Sequence, residues 1–380
     1  MIIASTVYWC LMLSTVLGPG VTAAVAGATV SRCGACDRGQ YWRISSLNAP
    51  RCAPFDPEKL EYFVYDCRRG WLPSTREAYL ASDDPAASTS FFVHGYFPQR
   101  WITVTKMVDS STDGGWLAFD RLSPRDRPFR FVLWVWPGER DDGSRLPENI
   151  RIKMGLAELQ AWYLAWVVDQ MNPDVPVGLI SDSLGAPALT GALHVLGGGA
   201  VDGQSLERIH PARMPLRAAL VAGTMNNDWL VPGRRHGLAL SQVDKMLITV
   251  NPRDRMLKLY TLFKIGGGVP AVGETGIAGR SRLGPYRERV VHFASSPYVG
   301  GRHWWTTYLR SPAVVARLKP FAFPPPRAWV ASETEVADGE PSPSAAGSRA
   351  TTAVDPAAAP EADQPPEQAA GRSQQLAPAG

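Results

Sequence analysis

The residues with the most chemical potential lie in the segment Val177-Gly178-Leu179-Ile180-Ser181-Asp182-Ser183-Leu184-Gly185-Ala186-Pro187. An apolar run of strand length ends at Ser181 and a helical pattern starts at about Leu184, so Ser183 falls in a sharp turn between them. Ser181 and Gly185, two residues to either side, are small enough for the strand and helix to approach closely, with Ser181 standing where such turns usually carry Gly. A turn of this kind forces the central Ser into an unfavourable backbone conformation and lifts its Oγ above the sheet. It also places the Leu184 N–H at a helix N-terminus, where an oxyanion would develop. The chemistry would be nucleophilic acyl transfer. Because a serine hydroxyl is a poor nucleophile at its own pKa, a base and an orienting acid must accompany it.

Both are found downstream, in the order Ser, acid, His. The run Lys245 to Val250 leads into Asn251-Pro252-Arg253-Asp254-Arg255-Met256, which puts Asp254 just past a strand end. After the run near Val291, the Gly-rich loop Gly300-Gly301-Arg302-His303-Trp304-Trp305 presents His303. Asp254 would fix the imidazole and His303 would take the Ser183 proton. Asp228 is a second candidate acid, and His236 and His292 are second candidate bases, although His292 lies inside a strand pattern and reads as a buried structural residue. The second oxyanion donor is expected in Phe91-Phe92-Val93-His94-Gly95-Tyr96, at the N–H of Tyr96. His94 itself precedes the serine by many residues and reads as structural. Asp182 reads as a solvent-facing turn residue. This chemistry calls for no metal or organic cofactor.

These residues need a scaffold that brings strand ends together. Short, mostly unbroken apolar runs at Ser90–His94, Phe129–Trp136, Val175–Ser181, Leu216–Ala222, Lys245–Val250 and Arg289–Phe293 alternate with helical patterns at 100–107, 149–171, 184–196, 237–243 and 255–263. That alternation predicts an α/β fold, a mostly parallel sheet covered by helices on both faces. The tryptophans of 156–171 fall on its core side. Tyr41–Ser45 and Leu60–Tyr65 read as two further strands, antiparallel at the sheet edge. Segments 137–148 and 266–285 would form the rim or lid of the site, and Trp304 and Trp305 either wall an apolar pocket or pack in the core. The Gly-rich stretches 197–199 and 266–268 lack the features of phosphate or dinucleotide loops.

In this combination the chain resembles the α/β-hydrolase superfamily, and within it a group of poorly characterised bacterial α/β-hydrolase-like proteins. The resemblance covers about residues 40–320. It rests on His94-Gly95-Tyr96, Trp134-Val135-Trp136-Pro137, the Ser183 elbow, Gly191-Ala192-Leu193-His194 through Gly197-Gly198-Gly199, and Thr249-Val250-Asn251 with Asp254. It implies a serine hydrolase acting on an ester or related acyl bond, with a small-molecule or lipid-like acyl substrate. A non-catalytic binding protein of the cell envelope is the alternative.

The ends of the 380-residue chain differ from its body. With 45% hydrophobic and 19% charged residues, the chain is neither disordered as a whole nor a bundle of membrane helices. Residues 1–26 have the form of a signal peptide or N-terminal anchor: the apolar stretch Val7–Leu17, the breaker Gly18-Pro19-Gly20, then Ala24-Val25-Ala26. They point to a secreted or envelope-associated protein; an uncleaved anchor would add membrane association through the N-terminus. Residues 27–85 carry Cys33, Cys36, Cys52 and Cys67, for which two disulfides are expected; a redox pair of Cys33 and Cys36 is a remote alternative. Residues 86–325 form the core and 331–380 a disordered Ala/Pro/Glu-rich tail. The formal charge of +4 divides into +10 for residues 1–330 and −6 for the tail. The arginines read as scattered, and no basic-aromatic pattern points to nucleic acid.

Overall fold

The buried apolar runs become the middle of one sheet. The computed structural model describes residues 39–97, 115–141, 143–207 and 216–326, all within one unit. Its strands are β1 (Gln40–Ser45), β2 (Glu61–Asp66), β3 (Gly70–Ser74), β4 (Ser88–Val93), β5 (Phe129–Val135), β6 (Val177–Asp182), β7 (Leu216–Val221), β8 (Lys245–Val250) and β9 (Val290–Ala294). Among the described residues they form a nine-stranded sheet in the order β3-β2-β1-β5-β4-β6-β7-β8-β9. Strand β1 and β4 to β9 run parallel, and β2 is antiparallel to both β1 and β3. The expected antiparallel pair forms between β1 and β2, but it is not the edge of the sheet. β1 lies inside the sheet, parallel to β5, and the true edge is β3, whose interior Pro73 suits an edge strand.

Helices cover both faces. The α-helices longer than one turn are α1 (Arg76–Ala81), α2 (Gly115–Leu122), α3 (Leu146–Gln170), α4 (Gly185–Leu196), α5 (Arg255–Leu262), α6 (Trp305–Arg310) and α7 (Pro312–Ala322). Alternate strand residues divide between the two layers, as the pleat requires. Phe91, Val93, Leu179, Ala218 and Ile248 pack with α3 and α4. Phe92, Ile180, Ala219 and Leu247 pack with α2, α6 and α7.

Several expectations change in detail. The helix expected at 237–243 is only a 3₁₀ turn, Ala239–Gln242, which follows Gly237, a residue that disfavours helix. The helix expected at 100–107 lies outside the described residues, as do the signal-like segment, the tail, Cys33 and Cys36. Cys67, in the β2–β3 turn, is disulfide-bonded, whereas Cys52 is a free thiol. The four cysteines therefore do not form two disulfides. Among the described residues, no helix is long and apolar enough to cross a membrane.

Candidate active site

The turn after β6 has the strained geometry that its sequence implies. Ser183 has φ of +48°, as a non-glycine residue in the left-handed region, a conformation that costs about 1–2 kcal/mol. Its N–H donates to the Val221 carbonyl (2.9 Å), and its own carbonyl accepts from Thr224 N–H (3.0 Å). Neighbouring strand ends thereby lock the turn. Gly185 has no substitute: a Cβ there would lie 2.4 Å from the Val93 carbonyl oxygen. Ser181, in the place where Gly is usual, is fully buried and is accommodated. Its hydroxyl has no hydrogen-bond partner among the described residues.

The three residues that the sequence puts in order meet in space. Ser183 Oγ lies 2.8 Å from His303 Nε2, and His303 Nδ1 lies 2.8 Å from Asp254 Oδ2. The carboxylate can only accept, so Nδ1 carries the proton and Nε2 is free to accept from the serine hydroxyl. Asp254 is completely buried and caps α5, with Oδ1 accepting from the N–H groups of Met256 (2.9 Å) and Leu257 (3.2 Å). Both its oxygens are thus engaged, which fixes the carboxylate plane against the imidazole. The His303 side chain is 16% exposed. Burial opposes its charge, but the Asp254 hydrogen bond and charge, with the further charge of Asp182, outweigh this and hold its pKa above the ordinary histidine value.

The two segments expected to supply the oxyanion donors meet at the elbow. The Leu184 N–H heads α4 and donates to no other described group. On the opposite side, the His94-Gly95-Tyr96 loop presses against the elbow: a Cβ on Gly95 would lie 2.9 Å from Ser183 Cβ, so the loop can approach only with glycine there. Tyr96 follows directly. Gly138 packs against His94 and Gly95, its carbonyl accepts from Phe97 N–H (2.9 Å) and Arg140 N–H donates to Phe97 O (3.0 Å), which sets the start of the segment expected as rim against this loop. The other expected rim, 266–285, is tied down as wall. Val272 N–H donates to Met225 O (2.8 Å) and Gly273 N–H to Gly223 O (2.9 Å), while Gly273 O accepts from Asn251 N–H (2.8 Å).

The alternative acids and bases lie elsewhere. Asp228 pairs with Arg234 at 3.6 Å. His236 is buried between Thr190 Oγ1 (2.8 Å) and Glu158 Oε1 (3.3 Å), and Glu158 also binds Arg235. This network braces the back of α4. His292 accepts from Ile277 N–H at 3.3 Å. His94 donates from Nδ1 to Gly95 O (2.8 Å) and accepts at Nε2 from Trp136 N–H (3.3 Å). Burial pushes its pKa down to about 4, so it is a neutral structural residue. The two tryptophans part company. Trp305 stacks on Phe92 in the core (4.5 Å), while Trp304 is 55% exposed.

One sequence expectation is overturned at the site itself. Asp182 is only partly exposed, and its sealed Oδ1 has no hydrogen-bond partner among the described residues. Gly95 crowds it: a Cβ there would lie 3.0 Å from Asp182 Oδ2. Burial raises its pKa to about 7, with the Asp254 charge adding to the rise and the His303 charge opposing it. The turn is too tight, and the loop after β4 too close, to leave the whole side chain in water.

Two further residues escaped the sequence reading. Thr224 Oγ1 lies 3.2 Å from Ser183 Oγ and donates to the Ala222 carbonyl (3.2 Å) beside the strained Ala222, with φ of +47°; Gly223 directly after an apolar run was its only signal in the sequence. Asn251 ties the acid loop to the histidine loop, donating to Gly300 O (2.9 Å) and accepting from Ser296 Oγ (2.6 Å). Among the described residues no group of three or more His, Cys, Asp or Glu is arranged to hold a metal ion. No family model, curated protein or solved structure matches the chain.

Proposed function

We propose that the protein is a serine hydrolase of the α/β-hydrolase type, acting on an ester or related acyl bond through an acyl-enzyme. The observation that carries this reading is the relay from Ser183 Oγ to His303 Nε2 to Asp254 Oδ2, with both contacts at 2.8 Å and Ser183 held at positive φ. The strand order supports the fold assignment, because the β5-β4-β6 crossover sets the elbow strand beside the strand that leads into His94-Gly95-Tyr96.

In the first half-reaction Ser183 Oγ attacks the acyl carbon while His303 Nε2 takes the hydroxyl proton. The resulting imidazolium is stabilised by Asp254, and the oxyanion is held by the Leu184 and Tyr96 N–H groups. His303 then gives that proton to the departing alcohol, leaving the acyl group on Ser183. In the second half-reaction His303 activates water, which attacks the acyl carbon and releases the acid and the serine. A fluorophosphonate probe tests the reading. Wild type should be labelled covalently and Ser183→Ala should not; an unlabelled wild type, or equal labelling of both, would refute it.

A further inference from the structure

The net positive charge of the body is not scattered. Residues 1–250 carry 24 bases and 24 acids, whereas residues 251–326 carry twelve bases and three acids. This last quarter of the folded body also supplies Asp254 and His303. Asp254 is buried, and Glu274 accepts a hydrogen bond from Thr261 (3.2 Å), which leaves Glu288 as the one fully exposed acid of the segment.

The exposed apolar side chains concentrate in the same place. Met256, Leu262, Phe263, Tyr298 and Trp304 are five of the seven large hydrophobic residues that stand out from the described surface, with Leu262 70% exposed. They belong to two segments that touch beside the relay, since a Cβ on Gly301 would lie 2.7 Å from the Arg253 carbonyl oxygen and His303 binds Asp254. Interspersed among them are Arg253, Arg255, Lys258, Lys264 and Arg302, all exposed and without an ion-pair partner among the described residues. Bases ringing exposed aromatic and aliphatic residues match a surface that offers anionic headgroups above hydrocarbon.

We propose that the face formed by residues 253–264 and 298–304 docks on an anionic lipid surface and presents the Ser183 cleft to it. Two other occupants fit less well. A second copy would set like charge against like. The acidic segment 331–380 could neutralise the bases, but it has no aromatic residue and, beyond Val336, Val354 and Leu376, no large aliphatic one, so it cannot cover the apolar side chains. The proposal does not depend on catalysis, and Ser183→Ala should dock as wild type does even if no substrate is ever turned over.

The test is co-sedimentation of the full chain with vesicles of phosphatidylcholine alone or mixed with phosphatidylglycerol, at low and at physiological salt. Binding should require phosphatidylglycerol and weaken as salt rises. Lys258→Gln with Lys264→Gln should weaken it by about fivefold per charge, roughly thirty-fold for the pair. Phe263→Ser should weaken it on its own. Lys59→Gln with Arg121→Gln, which removes equal charge elsewhere on the surface, should leave it unchanged, and retained circular dichroism establishes that each variant folds. Three outcomes overturn the proposal: no binding by the intact chain, as expected if residues 331–380 hold the face; equal binding to both vesicle types, which assigns it to the apolar segment Val7–Leu17; and binding indifferent to the 258/264 substitutions. Competition by inorganic phosphate without any effect of Phe263→Ser would mark a simple anion site and also refute docking.

Discussion

Replacing Asp182 by Asn should make the fold less sensitive to rising pH. The wild-type carboxyl has one oxygen sealed without a donor, and its pKa is raised from 3.8 to about 7 by burial and by the Asp254 charge, against the pull of His303. A carboxyl with a folded pKa above its unfolded value holds its proton more tightly in the native state. Its contribution is therefore neutral below about pH 4, becomes increasingly destabilising up to about pH 7, and is level beyond. At about 1.4 kcal/mol per pH unit the ceiling is about 4 kcal/mol. Because the residue is partly accessible, with only one oxygen sealed, about 2 kcal/mol is the expected size. Asn cannot ionise, so the stability of the variant relative to wild type should rise by that amount between pH 4 and pH 8. Urea unfolding at the two pH values measures it. The same substitution removes one of the charges that raise His303, so the acidic limb of the activity profile, where the base must be neutral, should move to lower pH. A stability difference that is flat with pH, or larger at pH 4, would refute the buried-carboxyl reasoning.

Asp254→Asn keeps an oxygen to accept from Met256 and Leu257 but turns an N–H toward His303, favouring the tautomer that cannot accept the serine proton. Turnover of p-nitrophenyl esters should fall about 10⁴-fold while the thermal midpoint shifts by only a few degrees; a loss below tenfold would remove Asp254 from the orienting role. Glu158 behaves oppositely to Asp182. Burial alone would raise its pKa, but the hydrogen bonds from His236 and Arg235 win and lower it to about 2. The stabilisation it supplies is present above about pH 4.5 and fades as pH falls toward 2, with a ceiling of about 3 kcal/mol. Glu158→Gln should therefore cost stability at pH 7 and little at pH 2.5, which unfolding curves at the two pH values will show.

The parallel core was legible because strands buried on both faces need unbroken apolar runs, and those at Phe129–Val135 and Lys245–Val250 stand out without any partner in view. Elements whose stability comes from distant contacts were not. β3 is a five-residue strand held only along one edge by β2. α6 and α7 are short, and their apolar residues Trp305, Tyr308 and Leu318 become a core face only when pressed onto Phe92 and its neighbours. The place of β1 depended on pairing with β5, whose matching residues lie about ninety positions away.

The candidate site divides in the same way. The serine turn was readable because its requirements are local: a strand, small residues two before and two after, and a helix start within one short stretch. The sequence alone thus named Ser183 and offered Asp254 and His303 as the best-ordered partners. Choosing them over Asp228, His236 and His292 required the fold, since these groups lie 49 and 120 positions apart along the chain where they hydrogen-bond. Composition established that the body is basic, yet only the packing of 298–304 against 253–256 gathers bases and exposed aromatics at one rim. Asp182 is the sharpest case. Its neighbours in sequence leave it in water, and the loop from β4, almost ninety residues earlier, withdraws part of its carboxyl from it.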